Sequence, residues 1–223
     1  MVDRFISFFV LAFVALLPVV NPVGSSLVFL GIVGTAPKEV FRVLARKIAV
    51  NTALFLLAID VAGAAVLKLF GISLPVVQLA GGLVLAAMGW ELLNKTEAPT
   101  QQETSPVQSD FATLRAKIFY PFTFPVTAGP GVLVVMLTLS AHASKGTIVD
   151  MVLAHLGVLF GMALMCLAVL IFYAYAPVIA GKISPSTAHG ILRVVAFILF
   201  CIGVQIAWNG VSALVMSLSL GRK

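Results

Sequence analysis

Charged side chains are what this sequence has least of. Only 10% of its 223 residues are Asp, Glu, Lys or Arg, while 61% are apolar. Soluble domains average roughly 25% charged and 45–50% apolar residues, so this few charges cannot clothe a water-facing surface. That excludes an ordinary soluble enzyme, a disordered chain and a nucleic-acid binder built on a broad basic face. Cysteine is also scarce. Cys166 and Cys201 each sit in an apolar run and read as small core residues rather than a metal or redox pair. The sequence has no phosphate-binding glycine loop, no metal-ligand cluster and no catalytic-triad pattern, so no metal, cofactor or enzymatic role is expected.

What is present is long apolar runs. No charge falls between Arg4 and Lys38, and residues 48–67 hold only Asp60. Residues 69–90, 118–144, 151–181 and 194–221 hold none. A membrane-crossing helix needs roughly 20 mainly apolar residues, and the runs are continuous rather than alternating as in a β-barrel. The expectation is an all-α polytopic membrane protein with six transmembrane helices, over about 5–34, 48–69, 75–93, 118–141, 149–180 and 191–218. The first run is longer than the ~7–15 apolar residues of a signal peptide and is taken as the first span. The net charge of +6 then reflects loops against an anionic bilayer, the chain's first partner.

The polar stretch 94–117, rich in Thr, Gln, Glu and Pro, divides the chain into a first three-helix unit, 1–93, and a second, 118–223. With loops alternating sides, nine Lys and Arg lie on the side of residues 35–47 and five on the other. The richer side should be cytoplasmic. This puts the loop 94–117 inside and both termini outside, periplasmic if the bilayer is a bacterial inner membrane.

Two units of three spans can be related only as an inverted repeat. Pro18-Val19 and Gly24 in span one align with Pro125-Val126 and Gly131 in span four, and Trp90 of span three has a counterpart in Trp208 of span six. Inverted repeats characterise many secondary transporters. Spans one and four also carry helix breakers, in Leu17-Pro18-Val19-Val20-Asn21-Pro22-Val23-Gly24-Ser25-Ser26 and Tyr120-Pro121-Phe122-Thr123-Phe124-Pro125-Val126-Thr127-Ala128-Gly129-Pro130-Gly131. Proline interrupts a helix but suits its first position, with Asn or Gly ahead as cap. Helices one and four are therefore expected to break near the bilayer midplane, at Asn21-Pro22 and Gly129-Pro130. Each new N-terminus carries roughly +0.5 of a charge, which suits a small anionic group such as a carboxylate. Asn21, Pro22, Gly24, Ser25, Thr123, Thr127, Gly129, Pro130 and Gly131 are the candidate solute-binding residues, with Ser26 beside them.

The same segments resemble the MarC family of bacterial and archaeal membrane proteins. The matching motifs are Asn21-Pro22-Val23-Gly24, then Phe70-Gly71-Ile72-Ser73 with Gln78-Leu79-Ala80-Gly81-Gly82, then Pro121-Phe122-Thr123-Phe124-Pro125 with Ala128-Gly129-Pro130-Gly131. The resemblance covers essentially the whole chain. It implies a six-helix inner-membrane protein of the LysE-like group, classed among transporters of small neutral amino acids. One departure is Gln78, where the family commonly has Arg, so a buried cation that could meet a substrate carboxylate is absent.

Other residues complete the expectations. Asp60, an acid within span two, is the candidate ion-coupling residue for H+ or Na+. Gln78, Gln205 and Asn209 are candidate cavity-lining residues. Gln205 and Asn209, four apart, share a helix face that should look inward. Gly157 and Gly161 read as a packing motif, and His155 as an interfacial or packed side chain. The functional expectation is an alternating-access transporter or exporter of a small polar solute. It uses no nucleic acid, and an oligomer is compatible with the chain. An intramembrane enzyme lacks a nucleophile–base pair. The alternative is a structural or regulatory membrane protein acting through the loop 94–117.

Overall fold

The computed structural model describes residues 2–94, 111–182 and 185–220, and among these it is helical with no strand. The elements are α1 (Val2–Val20), α2 (Pro22–Val33), α3 (Lys38–Leu69), α4 (Leu74–Asn94), α5 (Phe111–Ala116), a wide-turn segment (Ile118–Thr127), α6 (Pro130–Ala143), α7 (Ile148–Ala174), α8 (Ala176–Lys182) and α9 (Pro185–Leu220). Five helical stretches are long and apolar enough to cross a membrane, and six if the bent pair Ile118–Thr127 and Pro130–Ala143 forms one span. These correspond in order to the six expected spans. Most of the expected loop, residues 95–110, lies outside the described residues.

The boundaries differ where charge or proline intervenes. α3 begins ten residues earlier than expected, because Glu39, Arg42, Arg46 and Lys47 extend the helix as a solvated first part rather than a loop. The stretch expected over 149–180 is divided at Tyr175, just before Pro177, into α7 and α8. Cys166 is buried as expected, but Cys201 is exposed on α9. The small-residue face of α9 is the one turned inward.

Glycine sets how closely the helices approach. A Cβ on Gly89 would lie 2.6 Å from Phe200 N, and one on Gly210 2.6 Å from Leu79 N, so α4 and α9 cross backbone to backbone and antiparallel. Gly157 and Gly161 let α7 lie along α1, where a Cβ on Gly161 would meet that of Ala12 at 2.7 Å. Such contacts hold membrane helices together where burial from lipid contributes little. α3 packs against α6, α7 and the wide-turn segment. Its buried stripe of Phe41, Leu44, Ile48, Leu56 and Ile59 completes the core. Arg4 ties the start of α1 to the Asp150 and Lys145 carbonyls.

Candidate functional site

At the first interruption, Asn21 adopts the left-handed conformation, φ 44° and ψ 67°. Asn is among the few residues other than glycine that tolerate this region. Its Oδ1 accepts from Gly24 N at 3.1 Å, capping α2, and its carbonyl accepts Ser25 N at 2.9 Å and Ser25 Oγ at 2.8 Å. Pro22 opens α2, where its missing N–H costs nothing. Despite the interruption, Val2–Val33 forms one 32-residue apolar stretch.

The second interruption is larger. Tyr120 and Phe124, each followed by proline, are extended (φ −119° and −121°), and both peptide bonds to Pro121 and Pro125 are cis. A residue before proline is pushed out of helical geometry, and here it happens twice, four residues apart. The Ile118 and Phe122 carbonyls instead accept the Thr123 and Thr127 hydroxyls, at 2.8 and 2.6 Å. Backbone bonds from Phe122 N to the Lys117 carbonyl and from Ala128 N to the Thr123 carbonyl keep the same wide spacing. Gly129 caps α6, Pro130 occupies its first position, and α6 leaves at 67° to the preceding segment.

The two interruptions are neighbours. A Cβ on Gly131 would lie 3.0 Å from Val19 Cγ1. Beside them Tyr173, fully buried on α7, meets Thr127 Oγ1 at 2.7 Å, and Ser25 is the other side chain close to its hydroxyl. Because Thr127 already donates its single hydroxyl hydrogen to Phe122, Tyr173 is the donor of this pair. Phe29 stacks on the Tyr173 ring at 4.6 Å and meets Phe122 edge-on at 5.1 Å. Pro22, Gly24, Ser25, Ser26, Thr123, Thr127, Gly129 and Gly131 are buried, Asn21 is partly buried and Pro130 is exposed. Sequence reasoning missed Tyr173, which ends a long apolar run with no spacing to mark its hydroxyl.

Two clefts flank this closed centre. One, of about 550 Å3, lies between Leu30, Gly34, Pro37, Phe41 and Pro177. The other, of about 330 Å3, lies between the end of α3, the start of α4 and the end of α6, with Lys68, Ser73 and Ser140 on its walls. They open at opposite ends of α3, and none of the nine solute-binding candidates lines either. Gln78 is buried in α4. Gln205 Nε2 donates to Asn209 Oδ1 at 3.0 Å, so the shared face is real, but both side chains are exposed. The inward orientation expected for them is corrected, because the close α4 crossing takes Gly203, Ala207 and Gly210 inward and leaves Gln205, Trp208 and Asn209 outside.

Asp60 is buried and has a partner that spacing could not suggest. Its Oδ2 lies 3.1 Å from His155 Nδ1, while Oδ1 has no hydrogen-bond partner. The Asp60 carbonyl accepts Ser140 Oγ at 2.9 Å, and His155 Nε2 lies 3.2 Å from Ser144 Oγ. Among the described residues no group of three His, Cys, Asp or Glu side chains could hold a metal.

Long apolar helices and glycine-mediated crossings define a multi-pass integral membrane protein. The particular family is shown by sequence: the chain belongs to the MarC family of integral membrane proteins, whose model matches residues 6–215. It is 26% identical to the UPF0056 membrane protein YvbG of Bacillus subtilis, over 93% of this chain and 96% of that protein. It is 28% identical to the UPF0056 inner membrane protein MarC of Salmonella typhimurium, over 90% and 92% of the two chains. No solved structure matches it.

Proposed function

We propose that this protein is a secondary transporter, placed in the inner membrane like its Salmonella relative, that moves a small polar solute by alternating access. A small neutral amino acid fits best. Its carboxylate suits the helix N-termini at Asn21-Pro22 and Gly129-Pro130, and its polar groups suit Asn21, Ser25, Thr123, Thr127 and Tyr173. The observation that carries the reading is the meeting of the two interruptions, Val19 against Gly131, with hydroxyls buried beside them and a cleft at either end. A closed centre between two opposed clefts is the layout from which each side can open in turn.

The halves are read as an inverted repeat. Carrying the Trp90–Trp208 correspondence along α4 and α9 pairs Gly82 with Phe200 and Gly89 with Ala207. Gly82 packs on Ala207 and Gly89 on Phe200, so each contact is the image of the other, as a two-fold axis requires. Asp60 is the ion-coupling residue, and its exchangeable ion links transport to a gradient. The test is uptake into proteoliposomes, screened across amino acids under imposed proton and sodium gradients. Gradient-dependent accumulation of a neutral amino acid is expected. Absence of flux for every amino acid under both gradients would overturn the reading.

A further inference from the structure

Asp60 and three residues around it form a closed ring across three helices. Asp60 of α3 meets His155 of α7, His155 meets Ser144 at the end of α6, Ser144 Oγ donates to the Ser140 carbonyl at 2.9 Å, and Ser140 Oγ returns to the Asp60 carbonyl. A serine hydroxyl has one hydrogen. When Ser144 gives it to Ser140, it can only accept from His155, so Nε2 carries a proton. The close Nδ1–Oδ2 contact then needs a second proton between those two atoms. In that arrangement the ring holds one proton more than an aspartate beside a neutral imidazole. If that proton leaves, His155 keeps Nδ1–H toward Asp60, Nε2 becomes bare, and Ser144 must turn its hydrogen from Ser140 to Nε2. Ser140 O is not abandoned, because Ser144 N also donates to it, at 3.0 Å.

We propose that Asp60 and His155 form a single-proton binding site whose occupancy is relayed to α6 by the Ser144 hydroxyl. This identifies the exchanged ion of the transport reading, on which its functional role rests, as a proton. A sodium ion would need several converging oxygens, whereas here an imidazole nitrogen already occupies one carboxylate oxygen. The remaining one, Oδ1, is buried with no hydrogen-bond partner. On this proposal, proton access is on one face. The His155 side chain is 30% exposed against 5% for Asp60, and the 330 Å3 cleft is lined by Ser140 and by Ala64, one turn beyond Asp60.

Of the other titratable or charged groups on these elements, Lys38, Glu39, Arg42, Arg46 and Lys47 lie at the opposite end of α3, Tyr173 of α7 is engaged with Thr127, Cys166 is buried further along α7, and Asp3 lies in the first turn of α1. On α6, His142 holds the Thr138 carbonyl with Nδ1 at 2.7 Å, and Lys145 follows its end. On α7, Asp150 caps the helix with Thr147. On α3, Lys68 lines the cleft. On α1, Arg4 binds the Asp150 and Lys145 carbonyls.

The test is a pH titration of the full-length protein in nanodiscs, with 15N-labelled histidine followed by NMR and the His155 signals assigned through His155→Gln. In the wild type, Nδ1 and Nε2 of His155 should change together, in step with a carboxyl band in the infrared difference spectrum. Asp60→Asn should move the His155 midpoint, because it removes the carboxylate that shares the proton. The carboxyl band should vanish in Asp60→Asn and lose its link to the imidazole in His155→Gln. An unmoved His155 midpoint in folded Asp60→Asn would overturn the proposal. If that variant does not fold, a wild-type carboxyl band that does not track the imidazole overturns it equally. A coupled titration in a protein that moves no solute rejects the transport reading alone. Proton-driven flux that survives in both variants rejects the proton site alone.

Discussion

Asn21 combines two demands that few side chains meet: a left-handed backbone and an oxygen placed to cap α2. Asn21→Gly keeps the backbone and loses the cap, whereas Asn21→Ala loses both. Losing a cap typically costs about 0.5–2 kcal/mol, so Asn21→Ala should be the less stable of the two in thermal unfolding in detergent, and both should still insert. Equal stabilities would show that the backbone conformation carries no weight. Tyr173→Phe removes one buried donor but keeps the stack on Phe29. The loss of a typical hydrogen bond, about 0.5–1.5 kcal/mol, should appear as a modest fall in melting temperature. A fall as large as that of a cavity mutant would contradict the assigned geometry. At this scale the sequence is readable only where chemistry is local. Asn21-Pro22 and Gly129-Pro130 announce their own backbone. Asp60 and His155 are 95 residues apart, so their pairing exists only once α3 lies on α7.

The spans were legible because a long apolar run is a local signal, but their boundaries were not where charges extended α3 and proline divided α7 from α8, and their contacts were legible only in part. Glycine spacing announced close packing in α7. It did not say that α9 would turn Gly203, Ala207 and Gly210 to α4 and thereby send Gln205 and Asn209 outward, since both faces of α9 are apolar. Gly82 marks the difference between a contact glycine and a free one: a Cβ there collides with the α9 backbone, whereas one on Gly31 meets nothing within 4 Å. Gly82→Leu should abolish recovery of folded protein from membranes, and Gly31→Leu should leave yield and melting temperature nearly unchanged. Equal yields would mean that the α4–α9 crossing is looser than it stands.

For the whole molecule, the expected sidedness rests on Arg42, Arg46 and Lys47 at the start of α3. In a Cys201→Ser background, a cysteine replacing Thr35 should react with a membrane-impermeant thiol reagent only from the cytoplasmic side, and one replacing Ser73 only from outside. The opposite pattern would invert the topology. The central claim is that the two interruptions together form one solute site. It is tested most directly by amino-acid uptake into proteoliposomes holding wild-type protein, Asn21→Ala, Thr127→Ala, or the neighbouring controls Val20→Ala and Val126→Ala, at equal amounts of folded protein. The account predicts that uptake falls several-fold in both Asn21→Ala and Thr127→Ala and stays near wild type in the two valine variants. Wild-type uptake in Asn21→Ala and Thr127→Ala would contradict it.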